Sequence, residues 1–478
     1  MIVLIAFPGE LVKKLYQSSE KIIFFDNYGW SVLINGKRET LPLDFNLKDL
    51  SFKIDAAKLR VELNWWSPMW ARWIPKAHSY INFKDQSILI ISKIIFGLKK
   101  HNISKVIFHT GIPHHLDTSF LSIACSQINI DSTFLYANVF DGRLLPIVHK
   151  NSIFNRKIIE FDISKFDFYN DIIDDFIKNK LKGNVPDTPT AVIPEHHKSF
   201  WKSVFYISKF SFFKKLSKIK SLIIKKPHDW TKFLPTRDFK DSLEILNIQR
   251  KFIRALKKEQ LSLDKSISFL KSKPNKIVIA AHFQPEATTF PEGGNYSNHL
   301  DIIIKIRSLG YKGEIAYKEH PASFLHGDDF LGITGVGINR SLSYLNNLKE
   351  LGCIFLHHNT PIPIDLNNNN HIVCTITGTI AIERSLVGLK TLVFGEPWFK
   401  GLPGTIHHSN IESINIIDEN WVESDLNIAR ESREFFLEKL NNKTIANCPG
   451  IGTGIILDDE VKMNQFKEEF SKLLTNIA

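Results

Sequence analysis

Cysteines are few in this sequence, and long hydrophobic runs are missing. The four cysteines lie far apart in the 478 residues and form no CxxC pair, which favours a reducing compartment over secretion. The apolar N-terminus, residues 1–7, stops at Pro8 and has no basic region before it, so it is too short for a signal peptide or a membrane-spanning helix. We therefore expect a soluble cytoplasmic protein that is at most peripheral on the inner face of a membrane.

The sequence also lacks the short motifs of several large enzyme classes. It contains no GxSxG, no GxxxxGK[ST] and no HExxH. These absences weigh against an α/β hydrolase, a P-loop NTPase and a zincin protease.

Acidic residues are outnumbered by basic ones, and the net charge of +11 predicts an anionic partner. The imbalance is greatest in residues 198–232, where ten lysines accompany one acid, Asp229. Aromatic residues alternate with these lysines, which suits either a helical connector with one buried face or docking on an anionic membrane surface. We predict no nucleic-acid partner, because no RNA- or DNA-binding motif accompanies the charge.

Alternating strand and helix patterns indicate an α/β protein with two domains, since the chain is too long for one core. We predict an N-terminal Rossmann-like, acceptor-side domain over residues 1–165, a basic helical connector over 166–270 and a C-terminal Rossmann-like donor domain over 271–478. Asn35-Gly36 predicts a hairpin turn in the first domain. Two such domains facing each other across a cleft are the architecture of many nucleotide-sugar glycosyltransferases, which is an analogy of fold alone.

Thr377-Gly378-Thr379 follow an apolar strand and stand where a helix begins. The free backbone N–H groups and the dipole at such a point favour a phosphate. Glu383 lies one turn into this helix, where its carboxylate could contact the ribose of a nucleotide or simply add a favourable charge near the helix start. We predict that a nucleotide or phosphorylated ligand docks at this turn.

Lys318-Glu319-His320-Pro321 end another predicted strand. Pro321 stops the strand and holds His320 in extended backbone at its mouth. An imidazole there can donate to a phosphate oxygen or transfer a proton, and Lys318 adds positive potential. The alternative is a loop histidine with a structural hydrogen bond.

A polar loop follows the first strand of the C-terminal half, and it ends in Gly293-Gly294. This pattern resembles a phosphate- or sugar-binding loop. Glu286 is the first candidate in it for a general base or nucleophile in glycosyl transfer, and Glu292 is the second. The alternative is a polar surface loop whose glycines serve turns.

The first half offers two weaker features. Its strand ending at His109 is followed by polar residues that suit a metal, an acceptor-facing surface or a plain loop, and we predict no metal site. A dense aromatic patch nearby suits core packing first and sugar stacking or an interface second. The polar residues are His109, His114, His115 and Asp117, and the aromatic ones are Trp65, Trp66, Trp70 and Trp73.

Three blocks of residues 275–405 resemble bacterial capsule and surface-polysaccharide glycosyltransferases of the Kdo-transferase type. The blocks are Gln284-Pro285-Glu286-Ala287-Thr288, Lys318-Glu319-His320-Pro321, and Thr377-Gly378-Thr379 through Glu383 to Gly395-Glu396-Pro397-Trp398-Phe399. The resemblance implies a GT-B fold and transfer from an activated nucleotide sugar, of which CMP-linked keto-acid sugars such as Kdo are the best-known donors. It also implies that His320 holds the donor phosphate and that Thr377, Gly378 and Thr379 line the nucleotide pocket. Glu286 stands where this family commonly has Asp.

We therefore predict a glycosyltransferase that moves a CMP-activated keto-acid sugar, Kdo or a nonulosonic acid, onto a bacterial surface polysaccharide or a lipid-linked acceptor, without a separate cofactor. Glu286 and His320 are the predicted catalytic residues. The predicted donor-binding residues are Gln284, Thr288, Gly293, Gly294, Lys318, Pro321, Thr377, Gly378, Thr379 and Glu383. The alternatives are a UDP-sugar epimerase on the same scaffold and a non-catalytic polysaccharide assembly partner.

Overall fold

The computed structural model describes sixteen stretches of the chain: residues 2–6, 22–26, 29–34, 37–41, 54–70, 80–109, 111, 116–159, 168–181, 239–272, 276–283, 289–324, 340–362, 371–411, 425–447 and 460–477. The described part is α/β and contains one mixed and one parallel sheet. Among its helices, none combines the length and the apolar character that crossing a bilayer requires. The basic segment 198–232 lies outside the described residues.

The first sheet has eight strands in the order β4-β3-β2-β1-β5-β6-β7-β8. Its inner strands β2, β1, β5 and β6 are parallel, and the outer strands β3, β4, β7 and β8 join antiparallel. Ile34 of β3 pairs with Lys37 of β4, which confirms the hairpin predicted around Asn35-Gly36. The strands are β1 (Ile2–Ala6), β2 (Ile22–Asp26), β3 (Gly29–Ile34), β4 (Lys37–Thr40), β5 (Ile103–Phe108), β6 (Asp131–Ala137), β7 (Leu144–His149) and β8 (Arg156–Ile158).

Four described helices accompany this sheet: α1 (Ala56–Trp70), α2 (Tyr80–Lys100), α3 (Leu116–Gln127) and α4 (Tyr169–Leu181). The apolar residues of α2 recur at helical spacing and give it a buried face, which includes Ile91, Ile95 and Leu98. Trp66 is buried in the same core, whereas Trp65 packs edge-on against Phe154 with ring centroids 4.7 Å apart. Core packing therefore explains at least part of the aromatic patch.

The second sheet has six parallel strands in the order β11-β10-β9-β12-β13-β14. This is the strand order of a doubly wound Rossmann fold. The central strands are continuous apolar runs because helices cover both faces of a parallel sheet. The strands are β9 (Lys276–Ala280), β10 (Ile315–Lys318), β11 (Cys353–Phe355), β12 (His371–Thr375), β13 (Thr391–Val393) and β14 (Thr405–His407).

The described helices of the second half begin with α5 (Phe239–Glu259), whose Phe252 and Leu256 are buried in the core of the second sheet. Part of the predicted connector thus covers this sheet. The remaining helices are α6 (Leu263–Ser272), α7 (His299–Ser308), α8 (Leu342–Glu350), α9 (Ile380–Ser385), α10 (Leu426–Leu440) and α11 (Glu460–Ile477).

The two halves share a hydrophobic core. Phe290, Ile382 and Phe436 of the second half belong to the buried cluster built on the first sheet. The C-terminal segment also returns to the first half, where Ile445 forms a β-bridge with Leu144. We infer that the halves are held as one packed body along this contact.

Candidate functional site

The second sheet reverses its strand order between β9 and β12. Strands β9, β10 and β11 follow one another outward on one side, and β12, β13 and β14 do so on the other. Open α/β sheets bind ligands in the crevice outside the carboxyl ends of their strands at such a reversal. His282 stands two residues after β9 and Thr377 two residues after β12, so both lie at this crevice.

His282 joins the ends of the two strands. Its Nε2 accepts the backbone N–H of Thr377 at 3.1 Å and lies 3.0 Å from Oγ1 of Thr375. Because a backbone N–H can only donate, Nε2 must carry the lone pair, and a neutral ring has its proton on Nδ1. His282 follows the first strand in the loop that we singled out from the sequence, but this bond depends on the strand order and could not be predicted.

His320 lies at the end of β10, the other neighbour of β9. Its ring centroid is 6.1 Å from that of Phe283. Two strand spacings separate the ends of β10 and β12, about 10 Å. The structure thus brings His320 and the Thr377-Gly378 bend to the same sheet edge, on either side of β9.

A buried ion pair holds the turn that carries His320. Oε1 of Glu319 accepts the backbone N–H of His320 at 2.8 Å, and Oε2 accepts Nε–H of Arg340 at 2.7 Å. The side chains of Glu319 and Arg340 are 0% and 2% exposed. Tyr317 O–H also donates to Glu319, at 2.8 Å. Glu319 belongs to the block that ends this strand in the sequence, but its pairing with Arg340 was not predicted, because local pattern does not contain it.

Two further histidines, His357 and His358, follow β11 at the same edge. Burial, followed by the positive charges of His357, Lys257 and Lys318 in that order, lowers the pKa of His358 to about 4. Burial and then Lys257 also lower the pKa of His357. Burial is the main cause of both shifts, and the contributions of the neighbouring cations add a positive potential that an anion would relieve. The sequence contained a signal for both residues, since they follow an apolar strand as His320 does.

The helix predicted at Thr377-Gly378-Thr379 is present as α9, although it is only six residues long. The backbone N–H of Gly378 donates to Oγ1 of Thr375 at 3.2 Å. A Cβ at Gly378 would lie 2.6 Å from that oxygen and 3.4 Å from Nε2 of His282, so this position admits only glycine without a shift. Pro321 begins a 3₁₀ turn directly after His320.

Glu383 forms an ion pair with Lys180 of α4, with Nζ and Oε1 2.9 Å apart. Both side chains are about nine-tenths buried. One carboxylate oxygen is therefore engaged by a helix that precedes the second sheet, and Glu383 links α9 to α4.

The loop after β9 is only partly described. Gln284, Glu286 and Thr288 lie outside the described residues. Gly293 and Gly294 form a turn in which a Cβ at Gly293 would lie 2.6 Å from the carbonyl oxygen of Thr289, and Gly294 has a φ of +51°. These glycines are explained by the tight turn itself.

Glu292 is ruled out as an accessible base. Its side chain is 1% exposed and pairs with Arg156 of the first half, with Oε1 and Nη2 2.7 Å apart. The same oxygen accepts O–H of Tyr136 at 3.2 Å. A carboxylate that is enclosed by two partners from the other half serves the contact between halves rather than a substrate.

Polar residues at the end of β5 are also only partly described. His109 and Asp117 are described, and His114 and His115 are not. Within the described ranges, no group of three or more His, Cys, Asp or Glu side chains is placed to share a metal ion.

A cleft of about 330 Å³ lies between the halves, beside the carboxyl edge of the second sheet. Its walls are β8, the loop that follows β13 and the end of α10. The lining residues are Ile147, Phe154, Arg156, Lys157, Ile158, Glu396, Pro397, Trp398, Lys400, Glu438, Lys439 and Lys443.

Neither the known protein-family models nor the curated protein sequences contain a match to this chain.

Proposed function

We propose that this chain is a glycosyltransferase that binds a nucleotide sugar at the carboxyl edge of its second sheet. The observation that carries the proposal is the reversal of strand order between β9 and β12, with His282 and Thr377 at the crevice and His320 beside them. Ligand sites of open α/β sheets lie at this position. The surrounding imidazole and lysine side chains suit an anionic ligand.

The chemistry of the edge suits a nucleotide that leaves with negative charge. Lys318, His357 and His358 place cationic or proton-donating groups at the ends of β10 and β11. Groups fixed in place before reaction stabilise the charge that develops on a leaving phosphate, because they need no reorganisation. A CMP-linked keto-acid sugar releases a monophosphate, which such groups could hold without a separate cofactor.

The resemblance noted in the sequence supplies the rest of the proposal. Glu286, between His282 and Thr289 in the chain, is the proposed base or nucleophile. The first half would face the acceptor in a GT-B arrangement, and residues 198–232 would hold the enzyme at an anionic membrane surface near a lipid-linked or polysaccharide acceptor.

Nucleotide binding tests the proposal directly. We expect CMP to raise the melting temperature of the full-length protein more than UDP, GDP or CDP does, because a ligand that binds only the folded state stabilises it. At about 100 times its Kd the added stability is about 2.7 kcal/mol. A larger shift with UDP, together with turnover of a UDP-sugar in the absence of an acceptor, would support an epimerase instead. If none of the four nucleotides shifts the melting temperature, the assignment of a donor-binding site to this sheet edge is wrong.

Variants locate the site. His320→Ala should weaken CMP binding about tenfold or more, since a hydrogen bond to a charged group is lost. His101→Ala is the matched control, because His101 is also half-buried but lies in the first half, beside Trp30. Equal affinities in both variants would contradict the assignment of His320.

Release of CMP from a CMP-keto-sugar should stop in Glu286→Ala, because the proposed base or nucleophile is lost. Full activity of this variant would show that Glu286 takes no part in the reaction.

A further inference from the structure

The cleft between the halves carries a surplus of positive charge. Five cationic side chains line it, against the two acids Glu396 and Glu438. One of these acids is already matched, since Glu396 lies 2.7 Å from Nζ of Lys400 and 3.3 Å from Nε2 of His407. Burial opposes the ionisation of Glu396, but the hydrogen bonds from His407 and Lys400 outweigh it and lower its pKa to about 2. The charge of Arg156 is similarly matched by Glu292.

Lys439 in the last turn of α10 and Lys443 just after this helix line the cleft, and Glu438 is the acid beside them. Nζ of Lys439 lies 4.5 Å from the ring centroid of Phe435, and Nζ of Lys443 donates to the carbonyl oxygen of Glu438 at 2.8 Å. Burial lowers the pKa of Lys439; Glu438 opposes this shift and Lys443 adds to it. An anion between the two ammonium groups would relieve both the burial cost and their mutual repulsion.

The cleft also offers an aromatic surface of limited size. Trp398 is half-buried, supported edge-on by Phe399 with ring centroids 5.7 Å apart, and its side chain helps to line the cleft. A volume of about 330 Å³ is at the lower end of small-molecule sites, which run from about 300 to 1,000 Å³. The space suits one sugar ring better than an extended chain.

The cleft adjoins the proposed nucleotide site. Gly395, which precedes the cleft wall, packs so closely that a Cβ there would lie 2.6 Å from Cγ2 of Thr377 and 2.9 Å from the carbonyl oxygen of Glu292. Neighbouring Cα atoms are about 3.8 Å apart. Glu396 therefore begins the cleft wall next to the Thr377-Gly378 bend.

We propose that this cleft binds an acidic sugar unit, with Lys439 and Lys443 on its carboxylate or phosphate and Trp398 against its ring. That this unit belongs to the acceptor of glycosyl transfer rests on the proposed function. The binding of the acidic sugar itself is independent of the proposed function, because it depends only on the charges, the aromatic side chain and the volume of the cleft.

Calorimetric titration of the full-length protein tests the cleft without any donor. The probes are glucuronate and glucose 6-phosphate, which separate carboxylate from phosphate, and neutral glucose. We expect at least one charged sugar to bind in the millimolar range, more weakly as salt is added, and glucose to bind much more weakly. Lys439→Gln and Lys443→Gln should each weaken this binding about tenfold. Lys472→Gln on α11, which loses an exposed ion pair with Glu468 outside the cleft, should leave it unchanged.

The outcomes separate the two proposals. Equal binding of glucose and the charged sugars, no binding of either charged sugar, or unchanged affinity in both cleft variants would overturn the cleft assignment, whatever the nucleotides do. If the charged sugars bind through Lys439 and Lys443 but the protein binds no nucleotide, the cleft assignment is supported and the proposed function is contradicted. Circular dichroism spectra and urea midpoints of Lys439→Gln and Lys443→Gln that match those of the unmodified protein show that the variants are folded.

Discussion

His357 and His358, which follow β11, give the edge of the second sheet a charge that depends on pH. His358 lies near Lys257 and Lys318, and its ring stacks on Phe324 with centroids 3.8 Å apart. The pKa of His358 is low because burial disfavours the charged ring and because a proton would add a third cation beside the two lysines. At neutral pH the edge therefore carries the charge of its lysines, while His358 remains uncharged.

Acid should destabilise the protein partly through His358. Its pKa falls from 6.5 to about 4 on folding, so the unfolded chain takes up a proton near pH 6.5 that the folded chain resists until about pH 4. Its contribution to stability is full above pH 6.5 and is lost as the pH falls through this window. His358→Gln should remove that loss. As the pH falls from 7 to 4, the free energy of unfolding should therefore decrease less in the variant than in the unmodified protein.

Urea unfolding at several pH values measures this difference. His408, whose pKa is also lowered to about 4, is present in both proteins and cancels in the comparison. Parallel pH profiles for the two proteins would show that His358 titrates normally.

At the scale of elements, the turn at Gly388 that closes the short helix α9 fixes the position of this helix. Gly388 has a φ of +85°, and the N–H of Leu389 donates to the carbonyl oxygen of Arg384 at 2.9 Å, which closes the last turn. The backbone N–H of Asp425 donates to the carbonyl oxygen of Gly388 at 2.8 Å. This turn sends the chain directly from α9 into β13 and so fixes the Thr377-Gly378 bend against the sheet.

Two glycine substitutions separate backbone strain from steric conflict. Gly310→Ala should cost about 1–2 kcal/mol, because Gly310 has a φ of +94° but open space around its Cβ position. Gly388→Ala should cost clearly more than this, since its Cβ would lie 2.5 Å from the carbonyl oxygen of Asp425. Chemical denaturation of both variants gives the two values, and an equal cost would mean that the chain around Asp425 moves aside freely.

The strands in the middle of each sheet and the hairpin of β3 and β4 at one edge were predictable, whereas the edge strands β8 and β14 were not. Short, continuous apolar runs such as residues 276–280 and 371–375 identify buried parallel strands by composition alone. The edge strands β8 and β14 have three residues each, too few to show a pattern. For the site, the sequence indicated which residues follow strands. The bond between His282 and Thr377 follows from the order of the strands, which local pattern does not contain.

At the scale of the whole molecule, a buried contact joins the two halves beside the cleft. Arg156 pairs with Glu292 and donates to the carbonyl oxygens of Ile153 and Glu396, both at 2.8 Å. Phe290 and Phe436 of the second half also belong to the hydrophobic cluster built on the first sheet. Domains that hinge freely are joined by small polar interfaces, so this contact favours a cleft of fixed shape over one that opens widely.

Unfolding should therefore be a single transition that weakens when the contact between halves is cut. Arg156→Leu leaves the Glu292 carboxylate buried without its cation, and removing one partner of a buried pair costs about 3–5 kcal/mol. Lys349→Leu is the control, since it cuts an exposed pair with Glu259 that is worth about 0–1 kcal/mol. Replacing both Arg156 and Glu292 by leucine should recover much of the loss, because no uncompensated charge remains.

Calorimetry and tryptophan fluorescence should report the same midpoint for the unmodified protein, whereas two separate midpoints would mean that the halves unfold independently and that the shared core does not couple them.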